Sequence, residues 1–334
     1  MKRFFFITTL LAMLLNLALG QSTSITVATG QSKVKKETFV YSTKDGVELS
    51  LDKYVDDSIP YQGKRPVLIY VHGGGYATGS RTNALQIQYG KHFVAQGYVS
   101  VAINYRLGLK GKDKPDQPTV MRAVGMATQD LIAATAFILS KEKEWNIDPA
   151  KIITSGGSAG AIACLTAEYD ICSNGEYAKA LPKDFNYAGI ISHAGAIIVK
   201  QDALNWQKTP CPMLLMHGSK DQLVPFNSYS LEGNLYAGSN TIHEQLTKIN
   251  VPHWLYEEAG ADHIVALTPL QHNFSEIDSF LDKFVMKGQR ASVHTVWTSE
   301  KPVPLAEFMK IVPLYGIGWE KTDDEVNAQK EKNK

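Results

Sequence analysis

Cysteine is scarce in this sequence: three residues among 334, Cys164, Cys172 and Cys211, at irregular intervals. A sparse, odd set excludes a scaffold built on disulfides, and neither these thiols nor the nine histidines show the short spacings of a metal site. On one continuous helix Cys164 and Cys172 would sit about 12 Å apart, so they could pair only if that helix ended between them. Excess charge is missing as well, with 34 Lys+Arg against 33 Asp+Glu and a net charge of +1. The short run at Lys33, Lys35 and Lys36 is the densest basic stretch, which argues against a nucleic-acid partner. Internal repeats and low-complexity linkers are absent, and after residue 20 no stretch reads as a membrane span. No cofactor or metal is expected.

A chain that is 44% hydrophobic and 20% charged can bury a sizeable core. Its first 20 residues follow another logic. Lys2 and Arg3 precede an apolar run over 4–19, broken by Thr8, Thr9 and Asn16, and the run ends in Ala18-Leu19-Gly20. This pattern is that of a cleavable secretory signal peptide, so the mature protein is expected to be secreted or periplasmic without a stable membrane anchor. Residues 21–36 are polar and read as a flexible segment, and 37–288 as one catalytic domain. Residues 289–334 read as an extension, with Pro302, Pro304 and Pro313 spaced along a stretch that wraps the surface and a charged, disordered end.

Within the domain, alternation on either side of Asp45-Gly46 over 37–55 predicts a hairpin. Short apolar strands follow at 66–70 (PVLIY), 99–104, 152–157, 188–191, 212–216 and 253–257, separated by segments of helical length, with an amphipathic helix over 271–284. About eight strands are expected, the first two in a hairpin and the rest parallel, covered by helices on both faces in an α/β architecture. Only about 20 residues lie between the strands at 188 and 212, which leaves no room for a large cap and predicts an open site.

The organising stretch is Gly156-Gly157-Ser158-Ala159-Gly160, a G-x-S-x-G at a strand-to-helix turn. Such a turn strains the serine backbone, needs small residues two before and two after it, and lifts the hydroxyl above the sheet edge. Ser158 is therefore the candidate nucleophile, and the Ala159 amide at the helix N-terminus can donate to a developing oxyanion. At the end of an earlier strand, His72-Gly73-Gly74-Gly75 offers further unobstructed amides. A serine needs a base and the base an orienting acid. In sheets of this kind they follow in the order serine, acid, histidine. Asp221, with Glu257 and Glu258 as substitutes, and His263 lie beyond later strands in the loops where such residues converge, whereas Lys220 and Asp262 read as solvated neighbours. The remaining histidines read as helical, local or packing residues, His217 among them.

In HGGGY at 72–76, GGSAG at 156–160, HGSKDQLVP at 217–225 and GADH at 260–263, the chain resembles the α/β-hydrolase superfamily. The likeness is to HGGG-type carboxylesterases related to hormone-sensitive lipase and to bacterial carbohydrate esterases, and it covers about residues 38–286. It implies an α/β-hydrolase fold and a serine esterase with Ser158 as nucleophile, Asp221 as acid, His263 as base and the amides of Gly74, Gly75 and Ala159 as oxyanion hole. The substrate it implies is a small-molecule or carbohydrate ester, such as an acetyl or feruloyl ester. Alternatives are a lipase or serine peptidase of the same fold, or a binding protein that keeps the fold without the chemistry.

Overall fold

The computed structural model describes residues 33–298 together with Glu307 and Lys310. The signal peptide expected over 1–20, most of the flexible segment and the proline-containing tail lie outside the described residues. By its internal contacts the chain divides into Met1–Lys33 and Val34–Lys334, and every element below belongs to the second unit.

Strands β1 (Lys35–Lys44) and β2 (Val47–Val55) form the expected hairpin. Asp45 and Gly46 turn it at φ 53° and 74°, the paired positive values of the tight turn that matches strand twist. Because β1 begins at Lys35, the sheet claims the last two residues of the segment expected to be flexible. Then come β3 (Arg65–Val71), α1 (Ala84–Val94), β4 (Val99–Ile103), α2 (Gln117–Ser140), β5 (Ile147–Gly157) and α3 (Ala159–Cys172). The second half carries β6 (Gly189–His193), β7 (Ala196–Val199), β8 (Met213–Gly218), β9 (Ser228–Leu231), β10 (Asn234–Gly238), α4 (Ser239–Lys248), β11 (His253–Ala259), α5 (Phe274–Phe280) and β12 (Ser292–Thr298).

The main sheet has nine strands in the order β1-β2-β4-β3-β5-β6-β8-β11-β12, with β2 antiparallel to β4 and every later pair parallel. Both faces are covered, as the alternation within β3 requires. Val67, Ile69 and Val71 enter one buried cluster, while Leu68 and Tyr70 enter the other. Each such fully buried side chain contributes about 1.5–3 kcal/mol relative to exposure. Helix α2 fixes the first cluster; Asp116 caps it by accepting from the Thr119 amide at 2.9 Å. By length and composition α2 could cross a membrane, contrary to the reading that nothing after residue 20 could, but Leu131, Ile132 and Ile138 are buried in the same cluster as the sheet.

Two features depart from the sequence reading. Strand β12 pairs in parallel with β11, His253 opposite Ser292 through Ala259 opposite Thr298, so the sheet continues past the domain end expected at residue 288. Its pattern is weak because it is an edge strand, mostly exposed along its length. The second departure is a separate three-stranded antiparallel sheet, β7-β10-β9, where helices were expected. Among the described residues no large cap is inserted, but this small sheet contributes a wall of the site. All three cysteines are buried and unbridged, with Cys164 and Cys172 on the uninterrupted α3.

Candidate active site

Ser158 occupies the turn between β5 and α3 with φ 54° and ψ −123°, a backbone conformation costly for a residue with a side chain. Its amide is held by the His193 carbonyl at 2.9 Å. The flanking glycines are steric necessities. A Cβ on Gly160 would lie 2.0 Å from the Val71 carbonyl oxygen, and one on Gly156 would lie 2.6 Å from the Gly160 carbonyl carbon.

Strands β8 and β11 are neighbours, so the loops beyond their C-terminal ends meet beside this turn. Asp221 follows β8, and His263 opens a short 3-10 turn, His263–Ala266, beyond β11. His263 Nε2 lies 2.8 Å from Ser158 Oγ, and its Nδ1 lies 2.6 Å from Asp221 Oδ2. A carboxylate only accepts, so Nδ1 carries the proton and the Nε2 lone pair faces the serine hydroxyl. The other Asp221 oxygen accepts from the amides of Leu223 and Val224 at 2.8 and 2.9 Å. Burial alone would raise the Asp221 carboxyl, but hydrogen bonds from His217 and His263 outweigh it and hold the group below the usual carboxylate range. Neither substitute meets His263, whose Nδ1 is taken by Asp221: Glu257 pairs with His294 at 2.9 Å, and burial raises the Glu258 carboxyl.

Two contributors went unread in the sequence. His217 is fully buried, its Nε2 is 3.2 Å from the same Asp221 oxygen, and its Nδ1 is 2.8 Å from Ser239 Oγ. Asp262, read as a solvated neighbour, is buried instead. It accepts from the His263 amide at 2.8 Å and from the backbone and side-chain nitrogens of Gln222 at 3.0 and 2.7 Å, which clamps the acid-bearing loop to the histidine turn. The signal available was an aspartate in the capping position directly before a turn.

The glycine loop runs alongside. A Cβ on Gly73 would come 3.4 Å from Ser158 Cβ, so loop and serine are in contact distance. Gly74 and Gly75 hold φ 106° and 60°, and the Gly74 carbonyl accepts from the amides of Ala77 and Thr78, each at 3.0 Å. Among the described residues, no protein acceptor takes the amides of Gly74, Gly75 or Ala159. His72 anchors the loop from below: its Nδ1 donates to the Gly73 carbonyl at 2.7 Å and its ring stacks on Tyr105 at 4.2 Å. Burial pushes the His72 imidazole down to about 4, so it stays neutral. Ser158, His263 and the three glycines open into one cavity of about 390 Å³, whose other walls are mostly apolar and include Ile198, Leu223 and Tyr236. The arrangement can take a proton from a serine hydroxyl beside a set of unengaged amides.

Residues 51–201 match the BD-FAE family model. Gut esterase 1 of Caenorhabditis elegans is 31% identical over 118 residues, which is 35% of this chain and 21% of that protein. The non-reducing polyketide synthase ascC of Acremonium egyptiacum is 31% identical over 146 residues, 43% of this chain and 6% of that protein. The chain thus spans a quarter or less of the length of these curated relatives. Among solved structures, esterase 2 of Thermogutta terrifontis superposes with a TM-score of 0.54 at 21% identity, covering 73% of this chain and 91% of that one. That likeness shows the same fold.

Proposed function

We propose that this chain is an α/β-hydrolase that hydrolyses carboxylic esters through an acyl-enzyme. The observation that carries the reading is the relay Ser158 Oγ to His263 Nε2 at 2.8 Å and His263 Nδ1 to Asp221 at 2.6 Å. As Ser158 Oγ attacks the ester carbonyl, His263 takes its proton, and the imidazolium formed is stabilised by Asp221. The amides of Gly74, Gly75 and Ala159 are free to receive the carbonyl oxygen as it becomes an oxyanion. His263 then returns the proton to the departing alcohol, and a water activated by the same imidazole releases the acid.

A cavity of about 390 Å³ with mostly apolar walls suits a short acyl group. The Thermogutta terrifontis esterase was solved with propionate bound, and we extend a small acyl group of that kind to this chain. Acetyl or feruloyl esters of carbohydrates are the proposed natural class, and export under the leader at residues 1–20 would place the enzyme outside the cytoplasm. A panel of p-nitrophenyl esters, acetylated xylan, methyl ferulate and long-chain triglyceride tests this. Turnover of the short esters that vanishes in Ser158→Ala is expected, whereas selective turnover of triglyceride would contradict the reading.

A further inference from the structure

The cavity that holds Ser158 spans the edge of the main sheet. At one end Tyr70 and Leu267 belong to the core cluster on one face; at the other Ile162, Ile198 and Tyr236 belong to the cluster on the opposite face. Leu267 directly follows the turn His263–Ala266. Because His263 returns its proton to the departing oxygen, the alcohol takes the end beside that turn, and the acyl group takes the end walled by the small sheet.

The acyl end continues outside the cavity. Ile198 on β7, Tyr236 on β10 and Tyr229 on β9 are directly paired across the three strands, so they share one face. Ile198 and Tyr236 are buried in the cavity wall, whereas Tyr229 stacks on Tyr236 at 4.6 Å and remains 47% exposed. Gln117 on α2 anchors the stack through hydrogen bonds with the Tyr236 hydroxyl at 2.7 and 3.1 Å. Two residues on, Leu231 returns to the Tyr229 face and is 44% exposed, while Ser228 and Ser230 alternate to the other face. At the cavity rim Leu223 is 52% exposed.

Single exposed apolar side chains are ordinary, but a row that carries a catalytic cavity outwards is a binding surface. The three strands, AIIV, SYSL and NLYAG, contain no charged residue, so the strip offers no partner to an ionic group. From β7 to β9 is two strand spacings, about 10 Å, which is about the extended length of an octanoyl chain. Beyond Leu231 the turn Glu232-Gly233 ends the strip.

We propose that this strip binds the far end of a medium-chain acyl group such as octanoyl, with Tyr229 and Leu231 as specificity-determining residues. Medium-chain acyl esters are then a further substrate class. This inference rests on the ester-hydrolase reading and extends the acyl group past the cavity.

The test compares p-nitrophenyl octanoate with p-nitrophenyl butanoate, both below their solubility limits. The proteins are wild type, the double variant Tyr229→Ser with Leu231→Ser, and the apolar pair Tyr229→Phe with Leu231→Met. In wild type kcat/KM for the octanoate should exceed that for the butanoate about tenfold, the gain expected from half-burying four methylenes. The serine pair should remove most of that preference, chiefly through KM, and the apolar pair should keep it. Saturation-transfer NMR of octanoate with Ser158→Ala should show a terminal-methyl signal that disappears when the serine pair is added. With both esters hydrolysed, a wild type that prefers butanoate, or an unchanged ratio in the serine pair, would overturn the strip and leave ester hydrolysis standing. A wild-type dimer that the serine pair dissociates at an unchanged ratio would assign the strip to a second copy and overturn the proposal as well. If wild type hydrolyses neither ester, the esterase reading fails, and the NMR arm alone decides the strip: methyl signals that depend on Tyr229 and Leu231 keep it, and their absence overturns it.

Discussion

His217 Nε2 reaches Asp221 Oδ2 at 3.2 Å, the same oxygen that His263 Nδ1 approaches at 2.6 Å. A second buried imidazole therefore helps hold the acid ionised and aimed. We expect His217→Gln to lower kcat on the order of tenfold with KM nearly unchanged, as loss of one hydrogen bond to a charged group implies. Asp221→Asn should cost more, because it removes the charge that stabilises the His263 imidazolium. Steady-state kinetics on a p-nitrophenyl ester would check both; a His217→Gln variant that changes only KM would contradict this role.

The glycine loop separates two kinds of substitution. A Cβ on Gly74 would lie 2.3 Å from the Thr78 carbonyl oxygen, whereas one on Gly75 meets nothing within 4 Å. The crowding at Thr78 therefore bears on the fold and not only on the oxyanion site. Gly74→Val should lower the melting temperature sharply, since backbone cannot move aside cheaply. Gly75→Ala should fold with only the roughly 1–2 kcal/mol cost of a left-handed residue. Thermal denaturation of the two variants decides this, and equal melting temperatures would contradict it.

Acid should destabilise the fold through two buried neutral imidazoles. Burial pushes His72 down to about 4 and His193 down to about 3, and among the described residues neither ring nitrogen of His193 has a hydrogen-bond partner. In the unfolded chain both titrate near 6.5, so between these values the unfolded state binds more protons. The stability these neutral imidazoles allow is complete above about pH 6.5 and is lost as pH falls towards 4 and 3. His193→Phe should flatten the dependence of the urea midpoint on pH between 6.5 and 4. An unchanged slope would assign the acid sensitivity elsewhere.

Thiol chemistry offers a further check. Burial pushes the Cys164 thiol up to about 12 and raises Cys172 and Cys211 as well, with the Glu168 carboxyl adding to the effect on the latter two. Because the thiolate is the reactive form, none of the three should react with a thiol reagent at pH 8 in the native protein, and all three should react in denaturant. Rapid labelling of the native protein would contradict the packing described.

Much of this could be read from local chemistry. Asp45-Gly46 dictates its own turn, the buried parallel strands are short apolar runs, and Gly156 and Gly160 are demanded by the backbone of Ser158. Asp221 and His263 follow once the strand order is assumed. What stayed hidden depends on packing across distance. The strand SYSL at β9 is exposed throughout and four residues long, and β7 is four residues of AIIV, too short for any period to show. Asp262 and His217 look solvated or local in sequence because their partners, Gln222 and Asp221, matter only when two loops meet.

The central claim is that Ser158 is the activated nucleophile. Intact-protein and peptide mass spectrometry after brief exposure to a fluorophosphonate tests it most directly. One adduct, on the peptide that holds Ser158, is expected in wild type, with none in Ser158→Ala and slow labelling in His263→Ala. An adduct on a different residue, or undiminished labelling of Ser158→Ala, would contradict the account.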